Sequence, residues 1–548
     1  MSEGSLITFR ARGFRWKARP ELKTLIDTDR RFVLPDGAQV VKEGPARRVW
    51  RFETTTGGVQ TAFYVKECLL PEWRDCLKYL FQPSKAAREF RALGLLRERG
   101  VSVPEPLGVG VRRRGLFLER SILVTRALPD AEPLDRYVLT RIAAAGGPDV
   151  RAFTRKFAAF VRQVHDAGLF HRDFHAANIL ARGQAQAVEF FLVDLDDVTI
   201  SERLRYGERL ENLGIMGRFF CPVVPRHWRL RFLESYAGGQ FDLESAARRV
   251  ERISERGLRS VWAKKDRRIC GNNKYFSHVR ASRRTGHAAR TAEAAAAIDL
   301  FAGGDPFKDA EALLKDGRSS TVGVFKLGDD AGGGRVVIKR RNRERTWKRF
   351  LDPLRTSRAT KGFFIGAAFE NRRLPTPKVL AALDCRRLGC LEGSYLVLEY
   401  VEGAQNLARV VAEGQASALF ERMSRDRKGF LKRLAYLLRR MHFCGFSMRD
   451  LRAANILLYP SGDGVGMEII DLDDARLCRA AVPESRAIRN IARLYADALY
   501  LNAVSRREAV EFLRDYLGPC DRARFLRWVS EVSRYARAKR RLLKLKYA

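Results

Sequence analysis

Two alternations of apolar and polar residues predict a β-hairpin near the start of each half of the chain. In the first half the strands are RRVWRFE (47–53) and VQTAFYVKE (59–67), joined by the turn sequence TTTGG. In the second half they are VGVFKL (322–327) and RVVIKR (335–340), joined by GDDAGGG. A period of two is typical of strands with one buried face, and the glycines suit the turn of a hairpin.

A helical stretch is predicted after each hairpin. The two stretches are SKAAREFRALGLLRERG (84–100) and SRATKGFFIGAAFENRR (357–373), and an extended apolar segment and further long helices follow each of them. Strands followed by helices predict an α+β fold, with a small β-rich lobe joined to a larger helical lobe. The alanine-rich segment 287–304 is either a helix of the second small lobe or a linker.

The chain contains an internal duplication. HDAGLFHRDFHAANIL (165–180) returns as HFCGFSMRDLRAANIL (442–457), and the sequence around DLDD at 194 returns at 471. These segments are shifted by 277 positions, whereas AFYVKE and RVVIKR upstream are shifted by 273. Because a register held over about a hundred residues does not arise by chance, we expect two tandem domains, residues 1–260 and 261–548.

Length and charge suit two folded domains that meet a polyanion. A chain of 548 residues is too long for one hydrophobic core and fits two of about 250 residues. Lys and Arg outnumber Asp and Glu by 103 to 64, a net charge of +39, which predicts a polyanionic partner or surface. Nucleic acid, an anionic membrane leaflet and a phosphorylated glycolipid all fit, and a genome of high GC content, which enriches arginine codons, is the alternative explanation.

Cysteine usage and hydropathy favour a cytoplasmic protein. The nine cysteines are scattered without a CxxC pair, which predicts reduced thiols rather than a zinc site. No apolar stretch reaches the roughly 18 residues of a membrane span, and the first residues lack the apolar core of a secretory signal.

The first copy of the repeat carries the residues that phosphoryl transfer requires. That reaction needs a cation on the phosphates, ligands for Mg²⁺ and a carboxylate that orients the attacking hydroxyl. Asp173 is the predicted catalytic carboxylate, and Asn178 and Asp194 are the predicted Mg²⁺ ligands. Lys66 ends an apolar strand as a phosphate-binding lysine should, and Glu89 in the following helix is its predicted ion-pair partner.

The second copy keeps four of these five positions. Asp450 is the predicted catalytic carboxylate, Asn455 and Asp471 are the predicted metal ligands, and Lys339 is the predicted phosphate-binding lysine. Five such residues in the expected order, four of them repeated in the second copy, indicate a kinase fold far more specifically than any one of them alone.

The second copy differs at two positions. Met448 replaces the histidine of the HRD sequence, and the ungapped counterpart of Glu89 is Gly362. We expect loss of the ion-pair partner to loosen the lysine and slow transfer. Loss of the histidine should be tolerated, because that residue chiefly braces the loop. The hypothesis is that both domains are active, the first more surely than the second.

The phosphate-binding loop is poor in glycine in both copies. KEGPARRVWRF offers only Gly44, and KDGRSSTVGVF offers Gly317 and Gly323, so neither contains GxGxxG. Gly44 and Gly317 are the predicted nucleotide-binding glycines, with an ordinary hairpin turn as the alternative for each. His175 and Arg452 occupy equivalent places after the catalytic aspartate; we expect them to pack in the loop, with a sugar or metal contact as the alternative.

HRDFHAANIL followed by LVDLDD is similar to the Kdo/WaaP lipopolysaccharide kinase family, which has a protein-kinase-like fold. The helix and proline-rich segments at 84–108 and 357–381 also look like that family, and the resemblance covers roughly 40–215 and 315–490. It implies two tandem bilobal domains, ATP and Mg²⁺ as cofactors, and an inner-core sugar, heptose or Kdo, as phosphate acceptor. DLDD replaces the DFG of protein kinases and no APE-type segment follows, which argues against an ordinary protein kinase.

The resemblance and the charge together predict a lipopolysaccharide core or lipid A precursor as partner, at the inner face of the cytoplasmic membrane. Segment 534–548 is basic, with Tyr535, Leu542 and Leu545 near one helical face; such a helix can bind an anionic membrane or simply be solvated. A second basic cluster consists of Arg343, Arg345, Lys348, Arg349, Arg355, Arg358 and Lys361. Signatures of nucleic-acid binding are missing, so nucleic acid is not an expected partner. The competing hypotheses are a protein kinase or pseudokinase-type regulatory protein, and another small-molecule phosphotransferase.

Overall fold

The computed structural model describes residues 6–44, 46–56, 58–69, 79–142, 147–239, 242–317, 320–328, 333–341, 356–387 and 390–547. The chain divides into two compact units, Met1–Gly257 and Leu258–Ala548. Each unit contains a seven-stranded antiparallel sheet followed by a helical lobe with short strands. The predicted α+β fold, with a β-rich lobe and a helical lobe in each half, is therefore confirmed.

The elements of the first unit begin with a hairpin and a short helix. The strands are β1 (Ile7–Ala11), β2 (Phe14–Ala18), β3 (Gln39–Gly44), β4 (Arg47–Thr56), β5 (Val59–Leu69), β6 (Pro106–Arg114), β7 (Phe117–Arg126), β8 (Glu132–Pro133), β9 (Leu169–His171), β10 (Ile179–Arg182), β11 (Glu189–Leu192) and β12 (Val198–Ile200). The helices are α1 (Pro20–Thr28), α2 (Lys85–Glu98), α3 (Leu134–Tyr137), α4 (Gly147–Asp166), α5 (Tyr206–Val223), α6 (Arg226–Ala237) and α7 (Leu243–Asp266), and the last contains the boundary between the units.

The second unit repeats this order. Its strands are β13 (Phe276–Ala281), β14 (Arg284–Ala289), β15 (Ala312–Asp316), β16 (Ser320–Lys326), β17 (Arg335–Arg341), β18 (Val379–Arg387), β19 (Cys390–Glu399), β20 (Gln405–Asn406), β21 (Phe446–Met448), β22 (Ile456–Ser461), β23 (Gly464–Ile469) and β24 (Ala475–Leu477). Its helices are α8 (Ala292–Asp299), α9 (Arg358–Asn371), α10 (Leu407–Glu413), α11 (Ala418–Arg425), α12 (Arg427–Phe443), α13 (Glu484–Tyr500), α14 (Arg506–Leu517) and α15 (Arg522–Tyr547).

The two large sheets have the same strand order. The first runs β1-β2-β6-β7-β5-β4-β3 and the second runs β13-β14-β18-β19-β17-β16-β15. The predicted hairpins are β4–β5 and β16–β17, and each places its second strand, the one that carries the predicted lysine, between two neighbours inside the sheet. A shared strand order confirms the duplication at the level of topology.

The sequence analysis missed the hairpin at the edge of each sheet, β1–β2 and β13–β14. In the first unit this hairpin is held by Trp16, which is fully buried, and β6 can approach it because Gly110 carries no side chain: a Cβ there would lie 2.9 Å from the indole. In the second unit the alanine-rich segment 287–304 forms the end of β14 and then α8, whose Ala294 and Ala297 pack in the core of the small lobe.

Each lobe has its own hydrophobic core. The β-rich lobes are centred on clusters that include Trp50 and Phe63 in the first unit, and Phe325 and Ile338 in the second. The helical lobes have larger clusters, built mainly from α4, α5 and the loop strands in the first unit and from α12, α13 and their neighbours in the second. The cysteines in the described part of the chain are free thiols, as their spacing predicted.

A buried histidine closes the helical lobe of each unit in the same way. His165 at the end of α4 is fully buried, and its Nδ1 lies 2.8 Å from the hydroxyl of Tyr236. His442 at the end of α12 is also buried, and its Nδ1 lies 2.7 Å from the hydroxyl of Tyr516. Burial lowers the pKa of His442 to about 4 and that of His165 to about 3, so both rings are neutral in the folded protein.

The neutral histidines make stability depend on pH. An unfolded histidine takes up a proton near pH 6.5, whereas folded His442 does so only near pH 4. The unfolded chain therefore binds more protons in this window, and the free energy of unfolding should fall as the pH is lowered from 6.5 to 4, by about 3 kcal/mol for one such residue.

We expect His442→Gln to be less stable at neutral pH but to lose less stability on acidification, because glutamine does not titrate. Hydrogen exchange at increasing urea, read by mass spectrometry, gives the free energy of unfolding for the second unit at each pH. An acid dependence as steep as that of the unchanged protein would contradict the role given to His442.

Candidate active site

In the first unit a buried lysine joins three elements that are far apart in the sequence. Lys66 lies on β5 between β4 and β7, and the residue is only 7% exposed. Its ammonium group donates to the carboxylate of Glu89 on α2 and, at 2.6 Å, to Oδ1 of Asp194, which follows β11. The expected ion pair with Glu89 therefore forms, and the second carboxylate lies on the other side of the same ammonium group.

The charges of this group stabilise one another. Burial alone would lower the pKa of Lys66, but the carboxylates of Glu89 and Asp194 outweigh that effect and raise it. Burial alone would raise the pKa of Asp194, but Lys66 and Arg47 outweigh it and hold this pKa well below its usual range. Ammonium and carboxylate are therefore both ionised at neutral pH.

Arg47 belongs to the site, although the sequence analysis did not single it out. It opens β4, and its Nη1 donates to both carboxylate oxygens of Asp194, at 3.0 and 2.8 Å. Val49 pairs with Lys66 across the β4–β5 ladder, and Arg47 lies two residues before Val49. Because side chains two residues apart share one face of a strand, the register of the predicted hairpin already contained this signal.

Asp194 has an unusual backbone that both copies share. Its φ is +64°, and that of Asp471 in the second unit is +62°, both in the left-handed region that few residues other than glycine adopt. In the first unit the next amide, that of Leu195, donates to Oε1 of Glu89 at 3.2 Å. Glu89 thus holds both the lysine and the strained turn, and repeated strain of this kind is typical of functional positions.

The predicted catalytic loop places Asp173 and Asn178 together. The Asn178 amide donates through Nδ2 to the Asp173 carbonyl at 3.0 Å, and the Val193 amide donates to the Asn178 carbonyl at 2.9 Å. Asn178 is therefore tied to the residue that precedes Asp194. The Asp173 side chain is 65% exposed, so its carboxylate is accessible beside this group.

The second loop repeats these contacts. Asn455 donates through Nδ2 to the Asp450 carbonyl at 2.8 Å, and Ile470, directly before Asp471, donates its amide to the Asn455 carbonyl at 3.0 Å. The structure therefore brings the predicted residues of each copy into one neighbourhood.

A buried asparagine braces the loop in both units. Asn212 on α5 accepts from the amide of His171 at 3.0 Å and donates to its carbonyl at 3.1 Å. Asn490 on α13 makes the same pair with Met448, at 3.1 and 2.7 Å. The first unit adds one bond, from the amide of Asp173 to Nδ1 of His171. Most of the brace therefore survives the change from histidine to methionine, as expected.

The second unit corrects the expectation that its lysine is left without a second partner. Lys339 donates to Asp471 and lies 3.4 Å from Oδ1 of Asp473, the second aspartate after the strained position. Arg341, two residues after the lysine on β17, also binds Asp473. Burial would raise the pKa of Asp473, but a hydrogen bond with Asp471 and the charges of Lys339 and Arg341 outweigh it and hold this pKa well below its usual range. Burial and the same hydrogen bond raise the pKa of Asp471.

Gly362 explains why the partner moved. It lies on α9, where a Cβ would be 2.9 Å from Leu396 Cδ2 and 3.5 Å from Asp473 Cβ. The space that the first unit gives to Glu89 is therefore filled by Asp473 and by β19. Asp473 is a residue that the sequence analysis missed, and its signal was the extra carboxylate in DLDD.

His175 and Arg452 each contact the catalytic carboxylate two residues before them in the same loop, which is compatible with the favoured interpretation of a role inside the loop. Nε2 of His175 lies 3.3 Å from Oδ2 of Asp173, and Nε of Arg452 lies 2.6 Å from Oδ1 of Asp450. The two sites thus place different side chains, an imidazole and a guanidinium, beside the catalytic carboxylate.

The predicted glycines lie at the tip of one hairpin in each sheet. Gly44 ends β3 and faces Arg47 at the start of β4. Gly317 directly follows β15, and its amide donates to the carbonyl of Ser320 at 3.2 Å. Position 45 and positions 318–319 lie outside the described residues. The turn of each hairpin therefore leads into β4 or β16, the strand that pairs with the lysine strand.

The oxygen donors of the site suit a small hard cation. Asp194 is a carboxylate that already binds two cationic side chains, and the Nδ2 bond of Asn178 fixes its amide with the oxygen on the opposite side. No group of three or more His, Cys, Asp or Glu able to hold a metal occurs among the residues described. Magnesium commonly binds one or two carboxylates together with substrate phosphates, so this donor set is compatible with it.

The different carboxylate partners of the two lysines, Glu89 and Asp473, lead to a prediction about transfer at each site. We expect Glu89→Gln in the first unit and Asp473→Asn in the second each to lower phosphoryl transfer by its own site about ten- to a hundredfold, the range seen when the supporting partner of a functional group is removed. Glu89→Gln is measured in a chain that also carries Asp450→Asn, and Asp473→Asn in a chain that also carries Asp173→Asn, so that only one site is active in each assay.

Asp196→Asn is the matched control, because Asp196 is the first unit's counterpart of Asp473 while the hydrogen bonds of Lys66 go to Glu89 and Asp194. Its effect should be clearly smaller than that of Glu89→Gln. A second site that tolerates Asp473→Asn would show that this carboxylate does not support Lys339.

Comparison with known proteins gives this geometry a context. The chain is 28% identical to 3-deoxy-D-manno-octulosonic acid kinase of Pasteurella multocida strain Pm70 over 159 aligned residues. This alignment covers 28% of the chain and 62% of the relative, so the chain spans less than two thirds of that enzyme's length. Over 240 residues, 40% of this chain and 89% of the relative, it is 24% identical to lipopolysaccharide core heptose(I) kinase WaaP of Escherichia coli strain K12. A solved structure of WaaP in complex with acyl carrier protein matches with 21% identity and a TM-score of 0.35, covering 45% of this chain and 98% of that one.

The family model of the lipopolysaccharide kinases matches twice. It covers residues 33–236 and again residues 318–516, one match in each unit and together more than half of the chain. Both matches include the lysine, the catalytic loop and the DLDD sequence of their unit. The chain therefore belongs to the lipopolysaccharide kinase (Kdo/WaaP) family, of which it contains two tandem copies.

Proposed function

We propose that each unit transfers the γ-phosphoryl group of ATP to a hydroxyl of an inner-core sugar of lipopolysaccharide, heptose or Kdo. The observation that carries the proposal is the meeting of a strand lysine, buried in the first unit and half-buried in the second, with the first aspartate of DLDD, beside a loop aspartate and its asparagine. Family membership supports ATP as the phosphate donor, and the names of the relatives support a core sugar as acceptor.

Each residue has a distinct proposed role. The carboxylate of Asp173, and of Asp450 in the second unit, accepts the proton of the attacking hydroxyl and fixes its direction. Lys66 and Lys339 hold phosphate oxygens, and Gly44 and Gly317 allow the hairpin backbone to come close to the nucleotide. Because the non-bridging phosphate oxygens carry negative charge, a preformed cationic site stabilises the transition state without having to rearrange.

Asn178 and Asp194, with Asn455 and Asp471 in the second unit, are the proposed ligands of Mg²⁺, which when bound would neutralise charge on the phosphates. Arg47 and Lys66 bind Asp194 and keep this carboxylate ionised and in place. The protein thereby maintains the ligand in the charge state that a divalent cation needs.

The test of the proposal separates the two sites. Asp173→Asn and Asp450→Asn are made singly and together, and transfer of labelled phosphate from ATP to isolated core oligosaccharide is measured. Loss of a general base costs about 10² to 10⁴ in rate, so each single variant should keep the transfer that belongs to the other site, and the double variant should lose nearly all transfer.

The location of the phosphate in the products, read by mass spectrometry, identifies the sugar that each site modifies. A double variant as active as the unchanged protein would show that these aspartates are not the catalytic bases. If Asp173→Asn alone left all activity intact, the first site would not contribute to transfer.

We also propose that the protein binds the anionic inner face of the cytoplasmic membrane, where the lipid-linked acceptor is found. In the part of the chain that the structure describes, no helix combines the length and apolar character needed to cross a bilayer. The final helix α15 is basic and exposes Tyr535, whereas the side chains of Leu542 and Leu545 lie outside the description. Of the predicted basic cluster, Arg343 to Arg355 lie outside the described residues, and Arg358 and Lys361 lie in the first turn of α9.

Flotation with liposomes tests the membrane proposal. We expect the protein to float with vesicles that contain anionic lipid at low ionic strength and to be released as salt screens the attraction. Vesicles of neutral lipid are the control. Equal behaviour with both vesicles at both salt concentrations would exclude electrostatic attachment.

A further inference from the structure

Helix α13 lies along the catalytic loop of the second unit and is fastened to it at two points. Asn490 bonds both the amide and the carbonyl of Met448, before the catalytic aspartate. Asp497, two turns later, accepts from the amide of Ala453 at 3.0 Å, after that aspartate. The helix segment between the two points therefore faces the part of the loop that contains Asp450.

Arg493 lies in that segment. It precedes Asp497 by one turn, so the two side chains share the face of α13 that points to the loop. The side chain is half-buried, and the attraction of Asp450 acts on it together with the repulsion of neighbouring guanidinium groups. Burial, together with that repulsion, lowers the pKa of Arg493 despite the attraction of Asp450. The neighbouring arginines are Arg489, Arg449 and Arg452.

The first unit is different at the same positions. Asn212 corresponds to Asn490, since both brace the loop in the same way. Counting from this pair, Glu211 replaces Arg489, and Ile215, which is 5% exposed, replaces Arg493. In the loop itself, His175 replaces Arg452. Of the four arginines of the second site, only Arg449 keeps a guanidinium counterpart in the first unit, Arg172.

The arginines of the second site need a negative partner. Arg452 is paired with Asp450 at 2.6 Å. Within the residues that the structure covers, no carboxylate lies at ion-pair distance from Arg489 or Arg493. Half-buried guanidinium groups next to a catalytic base are suited to a planar or tetrahedral oxyanion, because their donors form paired hydrogen bonds with carboxylate and phosphate.

We propose that the second unit takes an acceptor that already carries a phosphate or carboxylate close to the hydroxyl to be phosphorylated, and that Arg489 and Arg493 bind this group. The inference rests on the proposed phosphotransferase function and specifies the acceptor of one of its two sites. The first unit, with Glu211 and Ile215 in these places, takes an acceptor without that group. A reaction that attaches a phosphate or an acidic sugar must therefore supply the substrate of the second unit.

The arginines take no part in the bonds that change. The acceptor hydroxyl oxygen forms a bond to the γ-phosphorus while the bond from that phosphorus to ADP breaks, and the hydroxyl proton passes to Asp450. Arg489 and Arg493 hold the acceptor, so their contribution should be found in the Michaelis constant more than in the turnover rate.

The test uses the full chain carrying Asp173→Asn, so that the second site is measured alone. Three probes are compared: isolated core oligosaccharide, the same material after phosphatase treatment, and the same material after reduction of its carboxyl groups. One of the two treatments should raise KM about ten- to a hundredfold, the usual range for loss of one hydrogen bond to a charged group. The treatment that does so tells whether phosphate or carboxylate is recognised.

Arg493→Gln in that chain should raise KM for the untreated probe by a similar factor and abolish the difference between the probes. Arg493→Lys, which keeps the charge, should recover part of the affinity. Arg506→Gln removes the same charge from an exposed position on the next helix and should leave KM unchanged, which controls for the overall charge of the protein.

Equal KM values for all three probes, or the same preference in Arg493→Gln, would overturn this inference while leaving the phosphotransferase intact. Absence of transfer to every probe in the Asp173→Asn chain, with transfer in the unchanged protein, would overturn both the inference and the assignment of activity to the second unit.

Discussion

The ion pair between a lysine on an inner strand and the first aspartate of DLDD, buried at Lys66 and partly exposed at Lys339, is the interaction on which each site depends. An ammonium group inside a lobe is very costly unless a carboxylate meets it. Lys66 can therefore remain on an inner strand only if Asp194 and Glu89 reach it, and this requirement fixes β5, α2 and the loop after β11 against one another. The left-handed backbone of Asp194 is the local cost of that arrangement.

The two copies meet the same electrostatic requirement with different residues. In the first, the second carboxylate comes from α2 and the extra cation from β4; in the second, Asp473 comes from the loop and Arg341 from the lysine strand itself. What both conserve is the set of charges around the lysine, two carboxylates and one added guanidinium. The elements that supply the second carboxylate and the guanidinium differ between the two copies.

Much of the fold followed from the sequence because local patterns determined it. The lysine hairpins, the helix after each, and the duplication all came from alternation and repetition, and topology agrees with them. The edge hairpin β1–β2 was missed because its strands are short and its burial depends on Trp16 meeting a glycine in a distant strand.

Only part of the candidate site could be predicted from the sequence. Lys66, Glu89 and Asp194 were found because motif spacing encodes them. Arg47 was missed because its role depends on which strand lies beside the lysine strand. Asp473 was missed because its role depends on the space left by the absent side chain of Gly362. The contacts of His175 and Arg452 with the catalytic aspartates depend on side-chain direction, which the spacing of residues does not give.

The space around Gly362 has a consequence for exchanging parts between the two sites. A Cβ there would lie 2.9 Å from the flexible end of Leu396 and at an ordinary contact distance, 3.5 Å, from Asp473 Cβ. A glutamate at this position would bring a third carboxylate, after Asp471 and Asp473, towards a single ammonium group. Building the first unit's arrangement into the second therefore calls for paired substitutions, Gly362→Glu together with loss of the Asp473 carboxylate.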